Sequence, residues 1–248
     1  MKSYVHCNSA SFPRSEESLS LASSATISLG SGRVRQERGR GGLPAERLET
    51  VAGVFLLAGS SSRMGFPKPL LPFGEQTLAA LLLKQILNSD LSPVIVVLGH
   101  KAEEIKKEIQ KINHPSRLKL IYNPEFKKGL STSISIGLSQ IDPSSSGVMF
   151  LMGDQPLLTT KVINKLIREF IKSLALMVVP LYGKRPGNPV VFRTSIIPEL
   201  LKVTGDTGGR ELIKKYWDQV KTVSIRPQRI GWDVAIWEDY QKAKEFIK

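Results

Sequence analysis

The stretch "VAGVFLLAGSSSRMGFPKPLLPFG", residues 51–74, decides how the chain reads. Its first seven residues form an uninterrupted apolar run, the pattern of a strand buried on both faces of a parallel sheet. The residues after Ala58 do not resemble core: Gly59, Ser60, Ser61, Ser62 and Gly65, with two cations, Arg63 and Lys68. In open α/β sheets, ligands bind beyond the carboxyl ends of the strands, which is where this loop begins. Glycine lets backbone N–H groups approach a phosphate, hydroxyls add donors, and Arg and Lys supply charge for anionic oxygens. The loop is not a Walker A, since no Gly-Lys-Ser/Thr closes it, nor is it Gly-x-Gly-x-x-Gly.

Beyond the loop, short apolar runs alternate with amphipathic segments. Strands are expected at "PVIVVLG" (93–99), "LKLIY" (118–122), "GVMFLM" (147–152) and "LALMVV" (174–179). Helices are expected over 76–88, 101–113, 129–140 and 159–172. After residue 179 the signal weakens. There "GNPVVF" reads as a strand, succeeded by helices near 195–202 and 208–217, a strand near 220–225 and a closing helix from Trp237. Such alternation predicts a doubly wound, mostly parallel, Rossmann-like α/β sheet.

The chain has 248 residues, 41% of them apolar, which suffices for one large α/β domain. Residues 1–50 are rich in Ser, Gly and Arg without a sustained period, and are expected to form a disordered tail before a domain over 51–248. No apolar run approaches the roughly eighteen residues of a membrane span, so no membrane partner is expected. A single cysteine, Cys7, excludes an internal disulfide and a cysteine-based zinc site, which fits a reducing, cytoplasmic setting. Net charge is +13, of which the first fifty residues hold only +2. A basic body suits an anionic partner: nucleic acid, an acidic surface or phosphorylated small molecules. The aromatic share of 7%, with no basic–aromatic interleaving, argues against nucleic acid.

The run Leu57–Gly65, with Lys68 and "LLPF" close behind it, resembles the signature of MobA/MocA-like nucleotidyltransferases. That resemblance implies transfer of a nucleoside monophosphate from a nucleoside triphosphate to a phosphorylated acceptor. It implies that Leu57, Ala58, Gly59, Ser60 and Ser61 wrap the triphosphate while Arg63 and Lys68 neutralise it. "NPEFKKGLSTSISIGL" (123–138) is similar to the family's base-contacting segment, which makes Gly129, Ser131 and Ser133 candidates for the nucleotide base. Helix N-termini with free N–H groups and hydroxyls suit such polar contacts, although serines there also serve as plain N-caps.

"LMGDQP" (151–156) resembles the family's Gly-Asp-x-Pro, whose aspartate holds Mg²⁺; here that residue is Asp154. Gln155 before Pro156, and Ala58 in the loop, look more like the cytidylyl-transferring branch than the guanylyl-transferring one. "GNPVVF" (187–192) is similar to a Gly-His-Pro-Val motif with Asn188 in place of histidine, and "GDTGGRELI" (205–213) to Gly-Asp-x-Gly-Ala-Arg. By resemblance, Asn188, Pro189, Asp206, Gly208 and Arg210 would hold the pterin acceptor. "WDVAIWEDY" (232–240) resembles Asp-Ile-Asp-Thr-Pro-Glu-Asp-Tyr. It keeps Asp233 as a second metal ligand, but Ala235 stands at the other acid and Trp237 at the proline. The resemblance spans about residues 51–246.

The expectation is therefore a Mg²⁺-dependent cytidylyltransferase that moves CMP from CTP, or another NTP, onto molybdopterin and releases pyrophosphate. Arg63, Lys68 and Asp154 are its catalytic candidates, and hand-over to a molybdoenzyme or its chaperone would come next. Two other readings stand beside it. One is a nucleotidyltransferase with another phosphorylated acceptor, such as a sugar phosphate. The other is a basic nucleic-acid-binding protein or a non-catalytic homologue, the latter suggested by Ala235.

Overall fold

The computed structural model describes residues 49–112, 115–206 and 208–247. The tail expected over residues 1–50 falls, but for its last two residues, outside them. Glu49 and Thr50 already belong to the body: Glu49 pairs with Arg193 at 3.7 Å, and the Thr50 carbonyl accepts from Ser146 N–H at 2.9 Å.

In chain order the elements are β1 (Val51–Leu57), β2 (Pro72–Phe73), β3 (Gln76–Thr77), α1 (Leu78–Leu87), β4 (Val94–Leu98), α2 (Ala102–Gln110), β5 (Leu118–Tyr122) and α3 (Leu130–Leu138). They continue as β6 (Gly147–Met152), α4 (Thr160–Lys172), β7 (Met177–Tyr182), β8 (Arg185–Pro186), β9 (Val190–Arg193), α5 (Ile197–Leu200), α6 (Arg210–Lys215), β10 (Val220–Ile225) and α7 (Trp237–Glu245).

The main sheet runs β10-β7-β9-β6-β1-β4-β5, with β8 beside β7. All seven residues of β1 are buried, because helices cover both faces of the sheet. Its side chains alternate between two cores, as the two-residue period of a strand requires. Phe55 and Leu57 join Leu98, Leu151 and the apolar faces of α1, α2, α4 and α7. Val54 and Leu56 join Val97, Phe150 and residues of α3, α5 and α6. This is the expected doubly wound, mostly parallel sheet.

Several boundaries differ from the expectation. The helix expected from residue 76 starts at Leu78: Gln76 and Thr77 pair instead with Phe73 and Pro72, and the Thr77 hydroxyl caps α1. The strand expected over 174–179 runs over Met177–Tyr182, and Leu174 is 97% exposed. The sheet is also mixed. β9 lies antiparallel between β6 and β7, while β7 itself points the same way as β6. Between the pairs Val178↔Val191 and Leu181↔Pro186, β7 spends fewer residues than the opposing arm, so residues 187–189 bulge out of the ladder.

Because β1, β4, β6, β7 and β10 all point one way, their carboxyl ends open on one edge of the sheet. The loops after β1, β6 and β7 and the segment after β10 gather there.

Candidate nucleotide site

A cavity of about 410 Å³ opens at that edge. Its first wall is the loop after β1. Ser61 adopts a left-handed φ of 53°, uncommon for a residue with a side chain, and the Lys68 N–H fixes it by donating to Ser61 Oγ at 3.0 Å. The Met64 N–H donates to the Ser61 carbonyl at 3.1 Å, and the Met64 side chain is buried in the core. The turn so formed brings Lys68 back over the cavity and leaves Gly59, Ser60, Ser62 and Arg63 along its wall. Arg63 makes no ion pair among the described residues.

The opposite wall follows β6. Gly153 is pressed onto β1: a Cβ there would meet Leu57 Cδ2 at 2.4 Å. That close approach delivers the next side chain, Asp154, to the cavity, where its Oδ2 lies 3.5 Å from Lys68 Nζ. Both side chains are partly open, at 29% and 15%, so ligand oxygens can reach them.

Asp233 adjoins Asp154. The Val234 N–H donates to the Asp154 carbonyl at 2.8 Å, and Gln155 Nε2 donates to Asp233 Oδ1 at 2.9 Å. Although Asp233 keeps an exposed edge, crowding by protein and then the Asp154 charge push its pKa up to about 6. Two neighbouring carboxyls of this kind make a donor set for a hard divalent cation. Among the described residues no cluster of three or more His, Cys, Asp or Glu forms a metal site. Mg²⁺ suits so sparse a set, because it commonly takes one or two carboxylates and fills its octahedron with phosphate oxygens and water.

The third wall is the start of α3. Gly129, at φ 111°, turns the chain into the helix, and Gly129, Leu130 and Ser133 line the cavity. Ser133 Oγ accepts from Asn123 Nδ2 at 2.9 Å. Ser131 lies instead in an adjoining groove with Asn123, Thr132 and Ser135. The first amides of α3 are not free, although the caps are not the helix's own serines. The Leu130 N–H donates to Asp206 Oδ1 at 2.9 Å and the Ser131 N–H to the Gly205 carbonyl at 3.0 Å. Asp206 thus caps α3 and sits in the cavity wall, on the same side as Gly129.

The remaining residues expected at an acceptor site lie elsewhere. Asn188 and Pro189 sit in the bulge between β8 and β9, where the Asn188 carbonyl accepts from the Tyr182 hydroxyl at 2.6 Å. Burial, then the Asp233 charge, raises the pKa of that hydroxyl. Gly208 is buried against Leu130, and Arg210 is the exposed first residue of the short α6. His100, just past the end of β4, packs beside Phe126 at 6.1 Å.

The profile of the family described as MobA-like NTP transferase domain matches residues 53–220. The chain belongs to that family. It is 31% identical over 166 residues to the purine catabolism protein PucB of Bacillus subtilis, covering 65% of this chain and 80% of PucB. It is 26% identical over 192 residues to the molybdenum cofactor cytidylyltransferase of Escherichia coli, covering 77% of this chain and 94% of that one. Among solved structures, the Mycobacterium tuberculosis rv0371c homolog from Mycobacterium sp. strain JC1 superposes with a TM-score of 0.68. That match has 29% identity and covers 79% of this chain and 96% of the other.

The contacts that three residues make around the site of this MobA-like transferase escaped the sequence reading. Asn123, only 2% exposed, donates to Thr132 and Ser133 and accepts from the Glu125 N–H, tying the segment before α3 to the helix. Its place just after β5, at a ligand-facing strand end, was the available signal. Gln155 bridges to Asp233 with its Oε1 buried and unpartnered. Trp237 reaches back to the opening loop, its indole N–H donating to the Met64 carbonyl at 3.2 Å. No local pattern announces a contact across that many residues.

Proposed function

We propose that this MobA-like transferase is a cytidylyltransferase that moves CMP from CTP to the terminal phosphate of molybdopterin, the molybdenum cofactor's pterin. The observation that carries the reading is the Lys68–Asp154 pair at 3.5 Å, which sets the cation of a hydroxyl-rich loop against a carboxylate across one cavity. The similarity to the Escherichia coli enzyme over 94% of its length supports the acceptor, and Ala58 with Gln155 supports the cytidylyl branch.

In this reading the backbone of Leu57, Ala58 and Gly59, with Ser60 and Ser61, cradles the triphosphate. Arg63 and Lys68 stabilise the charge that grows on pyrophosphate as it leaves. Gly129, Ser131 and Ser133 meet the base, which places Ser131 in the groove beside the cavity. Asn188, Pro189, Asp206, Gly208 and Arg210 serve the acceptor, with Asp206 acting through the α3 cap. Asp154 and Asp233 would hold Mg²⁺, which when bound screens the negative charge of triphosphate oxygens.

An oxygen of the acceptor phosphate forms a bond to the α-phosphorus. The bond from that phosphorus to the α–β bridging oxygen breaks, and its electron pair leaves with pyrophosphate. No general base is required, because a phosphate nucleophile is already ionised at neutral pH. Positioning and charge neutralisation supply the rate. The reading places the reaction in the cytoplasm, with hand-over to a molybdoenzyme or its chaperone as the next event. Among the described residues no helix is long and apolar enough to cross a membrane.

The test is to incubate the protein with Mg²⁺, molybdopterin and each of CTP, GTP and ATP, then to measure pyrophosphate and dinucleotide. CTP should be preferred, and a clear GTP preference overturns the cytidylyl assignment. A second reading keeps the donor and changes the acceptor. It is favoured by the 31% identity to PucB, named for purine catabolism, and by Asn188 and Ala235 at motif positions. Turnover with another phosphorylated acceptor but none with molybdopterin would select it.

A further inference from the structure

The loop after β1 offers cations to the donor, but a second polyanion must arrive in the same place. An acceptor phosphate brought up to a bound triphosphate needs a positive group of its own, apart from Lys68. The β7–β8 hairpin supplies one. Because β7 runs in the direction of β1 and β6, the hairpin tip lies on the ligand-binding edge of the sheet. There Tyr182 pairs directly with Arg185 across the turn at Gly183, whose φ is 71°.

Arg185 is held at its tip and left open elsewhere. Its Nη2 donates to the Gly231 carbonyl at 3.1 Å, two residues before Asp233. That segment is in turn tied to the cavity wall by the bond from Val234 N–H to the Asp154 carbonyl. Arg185 is exposed and forms no ion pair among the described residues, and a guanidinium has five N–H donors, of which one is engaged here. A second cation is therefore tied to the segment that carries Asp233, and it comes from a different strand end from the one that contributes Lys68. The bulge at Asn188 borders the same hairpin and is fixed to it by Tyr182.

We propose that Arg185 binds the terminal phosphate monoester of the acceptor and orients it toward the α-phosphorus of the bound nucleotide. The inference rests on the nucleotidyl-transfer reading above and adds the residue that recognises the attacking group. A planar guanidinium matches two phosphate oxygens at once, which an ammonium cannot do.

The test compares the full chain with Arg185→Ala and Arg185→Lys. Mg·CTP binding is measured alone by calorimetry. Inorganic phosphate is then titrated, with ³¹P NMR detection, into protein loaded with Mg²⁺ and a CTP analogue carrying a methylene bridge between its α- and β-phosphates. Arg185→Ala should leave the Mg·CTP dissociation constant within about twofold and weaken phosphate by about tenfold or more, with Arg185→Lys between. In turnover, the KM for the acceptor should rise while that for CTP holds. Equal phosphate binding by Arg185→Ala and the unaltered protein overturns the proposal, as does parallel loss of CTP and phosphate. If the unaltered protein takes up Mg·CTP but no phosphate, only the role of Arg185 fails. If it takes up no Mg·CTP, the nucleotidyl-transfer reading fails and this inference with it.

Discussion

The indole N–H of Trp237 donates to the Met64 carbonyl at 3.2 Å, so the last helix holds the loop after the first strand. The contact is reinforced at both ends. Trp237 lies 5.8 Å from Tyr240 and 6.2 Å from Phe66, and the Tyr240 hydroxyl donates to the Pro72 carbonyl at 2.6 Å. A Trp237→Phe substitution keeps an aromatic ring and removes the donor. It should cost about 1 kcal/mol of stability and raise the KM for CTP severalfold, with little change in kcat. Thermal melts and steady-state kinetics check both parts, and an unchanged KM would remove the loop-holding role.

Lys68 and Asp154 face each other across the cavity, and each should be indispensable for transfer. Lys68→Ala and Asp154→Ala are expected to lower turnover by at least about 10²-fold, the scale seen when one charge-stabilising group is removed from an active site. Circular dichroism should stay unchanged, since neither side chain belongs to the core. Full Mg²⁺-dependent turnover by Asp154→Ala would end its assignment as a metal ligand.

Asp233 gives a pH signature. Its folded pKa, about 6, lies above the ordinary 3.8, so between those values the folded state holds more protons than the unfolded one. Stability from this group is therefore greatest below about pH 4 and falls as pH rises through 6. Asp233→Asn should flatten that part of the melting-temperature profile and raise the melting temperature at pH 7 relative to the parent. Added Mg²⁺ should stabilise the parent more than the variant. A profile identical in both proteins would show that Asp233 is not strained.

Asn123 is buried, with both of its amide contacts to α3 at 2.9 Å and its Oδ1 accepting from the Glu125 N–H at 2.9 Å. Asn123→Ala strands these partners and should cost about 2–3 kcal/mol. If α3 meets the base, the ratio of CTP to GTP turnover should fall as well. A destabilised variant with the parent's nucleotide preference would confine Asn123 to the fold.

Much of the architecture was legible because β1, β4 and β6 are covered on both faces, and their whole length therefore reads as apolar. What composition does not encode is direction. A run such as Val190-Val191-Phe192 looks the same whether it lies along its neighbours or against them, so the antiparallel β9 was not foreseen. Pro180 hid the second half of β7, since proline usually ends a central strand; here its carbonyl accepts from the Gly187 N–H at the bulge. Lys68 and Asp154 stood out in their motifs as a cation and a carboxylate, and the fold brings them within 3.5 Å of each other. The Asp206 cap on α3 joins residues 76 apart, and only the folded chain shows that a motif expected to face the acceptor also shapes the cavity beside Lys68 and Asp154.

The reversed strand has an engineering corollary. β1, β4 and β6 are bonded to one another without help from the β7–β9 arm, which joins their ladder only along one border of β6. Transplanting that arm from a homologue should retune which molecule is modified while the grip on the triphosphate stays as it was. Lineages of this fold could diverge in the same piecemeal fashion.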